Sequence, residues 1–229
     1  MAGRIAYYGN IVKEGLVLDL DAAKKDSYPG SGLVWRDISG TTITGSLING
    51  PTFSTSGSGA IEFDGVDDYT NLGNILFNSA SATTIDMWVS FPSMAVGKYP
   101  MAKGSFGDGG AFTFAMVTGL GPSGGGSSYI RFSMGNQYSV NSTNIEYGFL
   151  NWNQWYNFTF AYNGTFVTGY RNASTAISSS LSGSLFTSST PIYLGSSKYG
   201  NNAAVKFGNF KIYNRALWIF CTSPLPTVF

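Results

Sequence analysis

Apolar residues recur at every second position over much of this chain, which is the period of a β-strand with one buried face. Within residues 84–91 the apolar face comprises Ile85, Met87, Val89 and Phe91. The same alternation recurs in three further segments, at Leu16, Leu18 and Leu20, at Phe112, Phe114 and Met116, and at Ile130, Phe132 and Met134. Because no segment repeats apolar residues at the spacing of a capped amphipathic helix, we expect an all-β protein with little helix.

The clearest local prediction is a β-hairpin over residues 155–171. One apolar stripe comprises Tyr156, Phe158, Phe160 and Tyr162, and a second beyond Asn163-Gly164 comprises Phe166, Thr168 and Tyr170. Asn-Gly adopts the positive φ angles of a type I′ turn, so this break predicts two paired strands joined by such a turn.

Glycine, proline, serine and asparagine separate the strand-like segments, and the composition does not change abruptly along the chain. Ten to fourteen short strands in one unit predict a two-sheet antiparallel jelly-roll sandwich. We expect the domain to span residues 15–217, after an N-terminal arm of residues 1–14. Residues 218–229 form an apolar, uncharged tail that we expect to pack on the domain or on a partner.

Composition excludes several functions. The 229 residues include 13 basic and 12 acidic side chains, which is too neutral for a nucleic-acid binder that neutralises phosphates. The sequence has no histidine, so imidazole-based catalysis and imidazole metal ligands are excluded. Cys221 is the only cysteine, so no intrachain disulfide can form. No apolar run reaches the roughly 18 residues of a membrane span and no leader pattern is present, so we expect cytosolic synthesis without membrane insertion.

Motifs distributed over most of the chain carry a family resemblance. They occupy residues 15–23, 27–32, 35–40, 49–53, 61–69, 155–160 and 212–217, and include Phe-Asp-Gly and Tyr-Asn-Arg-Ala-Leu. The sequence over residues 15–217 resembles the laminin-G-like, concanavalin-A-like jelly-roll family, and more narrowly the versions carried by virion proteins of tailed phages, notably cyanophages. It departs from the family after residue 217, where Trp218-Ile-Phe-Cys221 replaces the polar stretch that forms a closing helix.

The resemblance implies a non-enzymatic virion structural protein, either a capsid decoration or a module attached to a fibre or tail. The partners that it implies are phage capsid or tail proteins and copies of the chain itself, in a cyclic homo-oligomer such as a trimer. Weak adhesion to host-surface glycans is compatible with this role. The alternative is a lectin-like carbohydrate-binding module that acts in host-surface recognition.

Carboxylates are the first candidates for chemistry. Glu62, Asp64 and Asp68 have even spacing, so an unbroken strand would place them on one sheet face. Glycosidases of this architecture use a strand with a second glutamate, which is absent here. The resemblance instead implies that Phe63-Asp64-Gly65 is a structural turn, and we therefore assign no catalytic residue.

A calcium site is the remaining interpretation of this segment. Asp64, Asp67 and Asp68 offer hard oxygen ligands, but Val66 interrupts the ligand spacing of an EF-hand. The sequence therefore identifies no metal ligand set, and we expect no cofactor, with calcium as the open alternative.

Two glycine motifs match known site patterns without their context. Residues 119–124 match the dinucleotide fingerprint but are followed by Gly-Gly-Ser-Ser instead of a helix. Residues 121–125 match a nucleophile elbow, yet the sequence has no histidine to activate Ser123. We expect a surface loop.

Aromatic side chains outside the core pattern are the best candidates for binding. Alternation directs Trp88 away from the core, and Trp152 lies beside a loop, so both could contact a sugar or a protein partner. The lysines form no basic patch, and we expect Lys24, Lys25, Lys206 and Lys211 to be isolated and solvated. The sequence does not identify the ligand-binding residues.

Overall fold

The computed structural model describes residues 11–75, 82–93, 95–105, 111–120, 128–135, 142–148, 150–185, 188–197 and 199–217. These residues form sixteen strands, β1 to β16, and a single 3-10 turn at Ser56–Ser58. The all-β prediction is confirmed. The strand number exceeds the predicted ten to fourteen because several strands have only three residues, too few to show alternation. Within these ranges, no helix is long and apolar enough to cross a membrane.

The first sheet has eight antiparallel strands in the order β14-β13-β12-β7-β16-β5-β4, with β1 also paired to β16. Its strands are β1 (Leu16–Asp21), β4 (Thr52–Ser54), β5 (Ala60–Asp64), β7 (Thr83–Ser90), β12 (Trp155–Tyr162), β13 (Phe166–Arg171), β14 (Thr175–Ser180) and β16 (Ala204–Tyr213). Strands far apart in sequence are neighbours, so residues from five chain segments or more meet on each face.

The second sheet also has eight strands, in the order β11-β10-β9-β8-β15-β6-β3-β2. Its strands are β2 (Val34–Arg36), β3 (Thr44–Ile48), β6 (Tyr69–Asn71), β8 (Met101–Ser105), β9 (Ala111–Leu120), β10 (Ser128–Gly135), β11 (Ser142–Gly148) and β15 (Ile192–Leu194). The two sheets face each other as the jelly-roll sandwich predicted from the sequence.

The core lies between the two inner faces and contains most of the residues that alternation assigned to it. Ile85, Met87 and Val89 of the first sheet are fully buried, as are Phe132 and Met134 of the second. The sheets meet where the ring of Phe132 stacks on that of Phe160, with centroids 3.8 Å apart and an interplanar angle of 5°. Burial of these large side chains is the main stabilising contribution to a sandwich.

The predicted hairpin is confirmed, but its turn type and second stripe were wrong. A type I′ turn needs positive φ angles at both central residues. Gly164 has a φ of 93°, but the φ of Asn163 is not positive, so the turn is not type I′. Asn163 acts through its side chain instead, because its Oδ1 accepts hydrogen bonds from the amides of Thr165 and Phe166. The connection therefore has three residues, and Val167 faces the core while Phe166 is 46% exposed.

The structure describes only part of the chain termini. Three predicted segments lie outside the described residues: residues 1–10 of the arm, the whole tail of residues 218–229 with Cys221, and residues 121–125 of the glycine motifs. Within the described part, Ile11 and Val12 are exposed. Glu14 forms an ion pair with Arg215 at 2.6 Å, and the Asn214 amide donates to the Gly15 carbonyl, which fastens the start of β1 to the end of β16.

Candidate functional site

The outer face of the first sheet carries the side chains that alternate with its core residues. Strand register arranges them in rows across the sheet. The longest row, here called the Asp86 row, crosses β13, β12, β7, β16 and β1 and comprises Tyr170, Thr159, Asp86, Lys211 and Asp19. Directly opposed side chains on one sheet face lie within contact distance, so each row is a continuous polar strip.

Two further rows run beside it. The Trp88 row comprises Asn157, Trp88, Asn209 and Asp21. The Trp155 row comprises Trp155, Ser90, Lys206 and Glu62. Trp88 and Trp155 occupy diagonal positions on β7 and β12, a separation that aromatic side chains can span.

Glycines and a short turn position the Trp155 ring. A Cβ built on Gly57 would lie 2.4 Å from Trp155 Cε2, so the indole rests against the backbone of the 3-10 turn. A Cβ on Gly208 would lie 3.4 Å from Trp155 Cζ3 and 3.6 Å from Trp88 Cβ, so Gly208 lies between the two tryptophans. Trp155 Nε1 donates to Ser56 Oγ at 3.3 Å. These contacts hold the ring on the sheet in one orientation.

Asp86 organises the polar groups around Trp88. Its Oδ2 accepts hydrogen bonds from Thr159 Oγ1 at 2.7 Å and from Asn157 Nδ2 at 3.0 Å. The Asn209 Oδ1 accepts the backbone amide of Trp88 at 3.2 Å. Each side chain is therefore fixed by a neighbour, and ligand contacts made by this face would need little reordering.

The Asp86 row ends in a buried ion pair. Lys211 Nζ lies 3.7 Å from Asp19 Oδ1, and the two residues are only 8% and 3% exposed. Asp19 Oδ1 has no hydrogen-bond partner among the described residues. Burial raises the pKa of the Asp19 carboxyl, although Lys211 and Lys24 oppose the shift. At this end of the row, the Asp19–Lys211 ion pair is buried and therefore serves a structural role.

The accessible part of the outer face is centred on the tryptophans. Trp88, Trp155, Asp86, Asn157 and Lys206 are all half-buried, so each presents part of its side chain to solvent. We call these five residues the Trp88–Trp155 surface. Planar apolar rings beside carboxylate, amide and ammonium groups suit a ligand that has both an apolar face and hydroxyl groups.

The structure separates the two aromatic candidates chosen from sequence. Trp88 points outward from the first sheet, as predicted. Trp152 is 49% exposed, but it lies in the turn before β12 and outside the three rows. Sequence reasoning missed Trp155, although it alternates with Tyr156 and Phe158 and so falls on the outer face.

The prediction that the lysines are isolated was wrong for three of them. Lys206 Nζ forms an ion pair with Glu62 Oε2 at 2.9 Å, Lys211 pairs with Asp19, and Lys24 lies 3.6 Å from Asp21 Oδ2. Lys25 is exposed, as expected. Single-sequence reasoning cannot find these pairs because their acids lie on other strands or, for Asp21, at a strand end.

Of the carboxylates that were candidates for catalysis, Glu62 and Asp64 alternate on one face of β5, whereas Asp68 lies outside that strand. Glu62 lies in the Trp155 row, whereas β5 ends at Asp64 and the chain turns at Gly65, where φ is +82°. Asp64 Oδ1 accepts the Val66 amide at 2.7 Å, which confirms the structural turn.

Asp64, Asp67 and Asp68 are nevertheless close to one another, with a carboxylate oxygen from each lying within 4.8 Å of the others. Burial raises the pKa of Asp68, and Asp68 Oδ2 accepts the Asp64 amide at 3.2 Å. These are the residues that would supply the ligands if this loop bound calcium.

Solved structures of similar fold include toxin domains and a glycosidase. The botulinum neurotoxin serotype D binding domain matches with a TM-score of 0.66 and 13% identity over 92% of this chain and 51% of its own. The receptor binding domain of a botulinum neurotoxin C/D mosaic gives 0.68 and 13% over 91% and 50%. Trypanosoma rangeli sialidase in complex with sialic acid gives 0.61 and 17% over 90% and 31%.

At these identities the likeness concerns the fold alone, and the chain spans about half the length of the toxin domains. No curated protein sequence matches the chain. Residues 64–218, more than half of the chain, match the Laminin_G_3 family, whose description is concanavalin A-like lectin/glucanases superfamily. This protein therefore belongs to the concanavalin A-like lectin/glucanases superfamily, as a laminin-G-type jelly-roll domain.

Proposed function

We propose that this chain is a non-catalytic carbohydrate-binding module that holds glycans on the Trp88–Trp155 surface. The observation that carries the proposal is the arrangement of two tryptophans on neighbouring strands, one on each side of Gly208, with Asp86 and Asn157 beside them. The apolar C–H face of a sugar ring stacks on an indole, and its hydroxyls donate to carboxylate and amide oxygens.

Rigidity of this surface favours binding. Gly57 and Ser56 fix the Trp155 ring, and Asp86 fixes Asn157. Because these side chains have already lost rotamer freedom in the folded protein, glycan binding does not have to order them.

Family membership and structural neighbours support the same function. The superfamily takes its name in part from lectins. Among proteins of similar fold, one is a receptor binding domain and another is a sialidase complexed with sialic acid. For this chain these are grounds for choosing saccharides as the first ligands to test.

The non-catalytic part of the proposal rests on the contacts of the carboxylates. Asp86 Oδ2 accepts two hydrogen bonds, Glu62 pairs with Lys206, and Asp64 stabilises a turn. A retaining glycosidase needs two carboxyl groups about 5 Å apart, one of them kept protonated by its surroundings. Each of these three carboxylates instead accepts hydrogen bonds or pairs with a lysine, as expected for ionised groups.

The biological setting that we propose is the virion of a tailed phage, where the module would decorate a capsid, fibre or tail as a homo-oligomer. Its support is the motif resemblance over residues 15–217 to virion jelly-roll proteins. Mass spectrometry of purified virions tests it: the chain should be present in stoichiometric amounts, and its absence would contradict a virion role without affecting glycan binding.

Glycan binding is tested on a glycan array with three proteins, with and without a calcium chelator. Wild type should bind a subset of glycans, and Trp88→Ala should lose them because the stacking surface is removed. Trp152→Ala is the matched control, since Trp152 is exposed but outside the rows. A blank wild-type array, or undiminished binding by a folded Trp88→Ala protein, would contradict the proposal.

A further inference from the structure

A second concave site lies on the other sheet. An open surface groove with a volume of about 630 Å³ lies beside β3, the end of β6 and the residues that follow it. This volume lies within the range of small-ligand sites. Its apolar part is formed by Ile43, Leu72 and Ile75. None of these residues belongs to the Trp88–Trp155 surface, so this groove is a separate candidate.

Polar groups line the rest of the groove. Thr44 and Ser46 of β3 are exposed there and offer hydroxyls that can both donate and accept. Asn71 and Asn74 line it from the other side, and Asn71 Oδ1 accepts the Gly73 amide at 2.8 Å. The combination of an apolar wall with hydroxyl and amide groups matches the two-sided character of a sugar ring.

A buried cation lies behind the groove. The Lys103 side chain is completely buried, and its Nζ donates to Asn74 Oδ1 at 2.8 Å and to the Thr190 carbonyl at 2.9 Å. Both acceptors are neutral. Burial lowers the pKa of Lys103 to about 8. Among the residues that the structure describes, these two neutral oxygens are the hydrogen-bond partners of the ammonium. A buried charge without a counter-ion is costly, and an anion beside it would offset part of that cost.

Asn74 contacts both this cation and the groove. It lines the groove, is exposed, and follows the last residue of β6 by three positions, outside any strand. Rotation of its side chain would release the Nζ from Oδ1 without breaking a strand pair. A carboxylate at the position of Asn74 Oδ1 would convert a charge–dipole contact into a charge-assisted ion pair.

We propose that this groove binds an acidic sugar residue, whose carboxylate replaces Asn74 Oδ1 on Lys103 Nζ while its ring packs against Ile43 and Leu72. The hydroxyls of the sugar would reach Thr44 and Ser46. The inference extends the proposed carbohydrate-binding function to a second subsite with a stated charge. It concerns a different sheet, so its test is independent of the tryptophan variants.

The test is an NMR titration of the isotope-labelled full chain with three probes: glucuronate, glucose and acetate. Glucuronate should shift the amide signals of residues 71–75 and raise the pKa of Lys103, which is measured from its ¹³Cε shift as a function of pH. Glucose lacks the carboxylate and acetate lacks the ring, so each should shift these signals much less. No response to glucuronate, or an equal response to glucose or acetate, would overturn the proposal.

Asn74→Asp supplies the decisive variant because it places a carboxylate permanently beside Lys103. It should raise the pKa of Lys103 without any ligand and abolish the response to glucuronate, and a retained response would overturn the proposal. Asn74 is exposed, so this variant should fold. Trp88→Ala should keep the full glucuronate response, which separates a failure of this subsite from a failure of the Trp88–Trp155 surface.

Discussion

The Trp155 indole lies directly against the backbone of Gly57, where any side chain would overlap it at 2.4 Å from Cε2. The two residues are about 100 positions apart, and Gly57 has a φ of +64°. The short turn between β4 and β5 therefore sets the orientation of an aromatic ring on β12. A side chain introduced at Gly57 should therefore displace the Trp155 ring while leaving Trp155 itself unchanged.

We expect Gly57→Ala to be less stable than wild type and to lose near-UV circular dichroism from a displaced indole. The left-handed backbone alone should cost an alanine about 1 kcal/mol, and overlap with the ring should add about 1 to 3 kcal/mol. Thermal and denaturant unfolding measure the loss. Gly97→Ala is the matched control, because Gly97 has a φ of +71° but nothing within 4 Å of a Cβ. Equal losses in the two variants would contradict the packing role of Gly57.

For the Asp19–Lys211 ion pair, we expect that removing one charge destabilises the protein more than removing both. Lys211→Met should leave the Asp19 carboxylate buried without its cation and reduce the free energy of unfolding by about 3 kcal/mol. The double variant Asp19→Asn with Lys211→Met should recover much of that loss, because no buried charge remains. Urea unfolding of the two variants measures both values. A double variant no more stable than Lys211→Met alone would contradict the importance of the charge pair.

The lowered pKa of Lys103 predicts that the free energy of unfolding rises with pH. Its pKa is about 8 in the folded protein against 10.5 for the unperturbed side chain, so between these values the unfolded chain binds the proton that the folded protein lacks. The free energy of unfolding should therefore increase from pH 8 to 10.5 by about 2 to 3 kcal/mol from this group. Lys103→Met should remove that increment. Burial raises the pKa of Tyr147 and Tyr213, and their contribution cancels in the difference between the two curves. Parallel curves would contradict the shifted pKa.

The lowered pKa of Asp37 predicts that stability is lost at acid pH. Burial alone would raise its pKa, but hydrogen bonds from the Asp19 and Ser39 amides and from the Thr41 and Ser39 hydroxyls lower it below 3.8. A lowered pKa contributes stability above pH 3.8 that is lost as the pH falls through the folded value. Asp37→Asn should flatten the acid limb of the stability curve, whereas the exposed Asp26→Asn should leave it unchanged. An acid limb that is equally steep in both variants would show that Asp37 is not responsible.

Sequence patterns correctly predicted the features that depend on a single strand, such as which side chains point into the core. Alternation assigned Met87 and Phe132 to the core and Trp88 to the outside, because a pleated strand enforces that division. It could not find the partners of Lys206 or Lys211, since cross-strand pairing depends on topology. Lys103 was missed for a different reason: lysine is almost never buried without an acid, so its position on the core face was unexpected. The turn at Asn163 shows that a dipeptide predicts a hairpin more securely than it predicts a turn type.

The most direct test of the glycan-binding surface is an NMR titration that follows the indole Nε1–H signals while an array-selected glycan is added. The chain has five tryptophans, and the buried Trp35 serves as an internal reference. We expect the signals of Trp88 and Trp155 to shift together as glycan is added, while the signal of Trp35 remains unchanged. Binding that shifts neither Trp88 nor Trp155, or that shifts Trp152 alone, would contradict it.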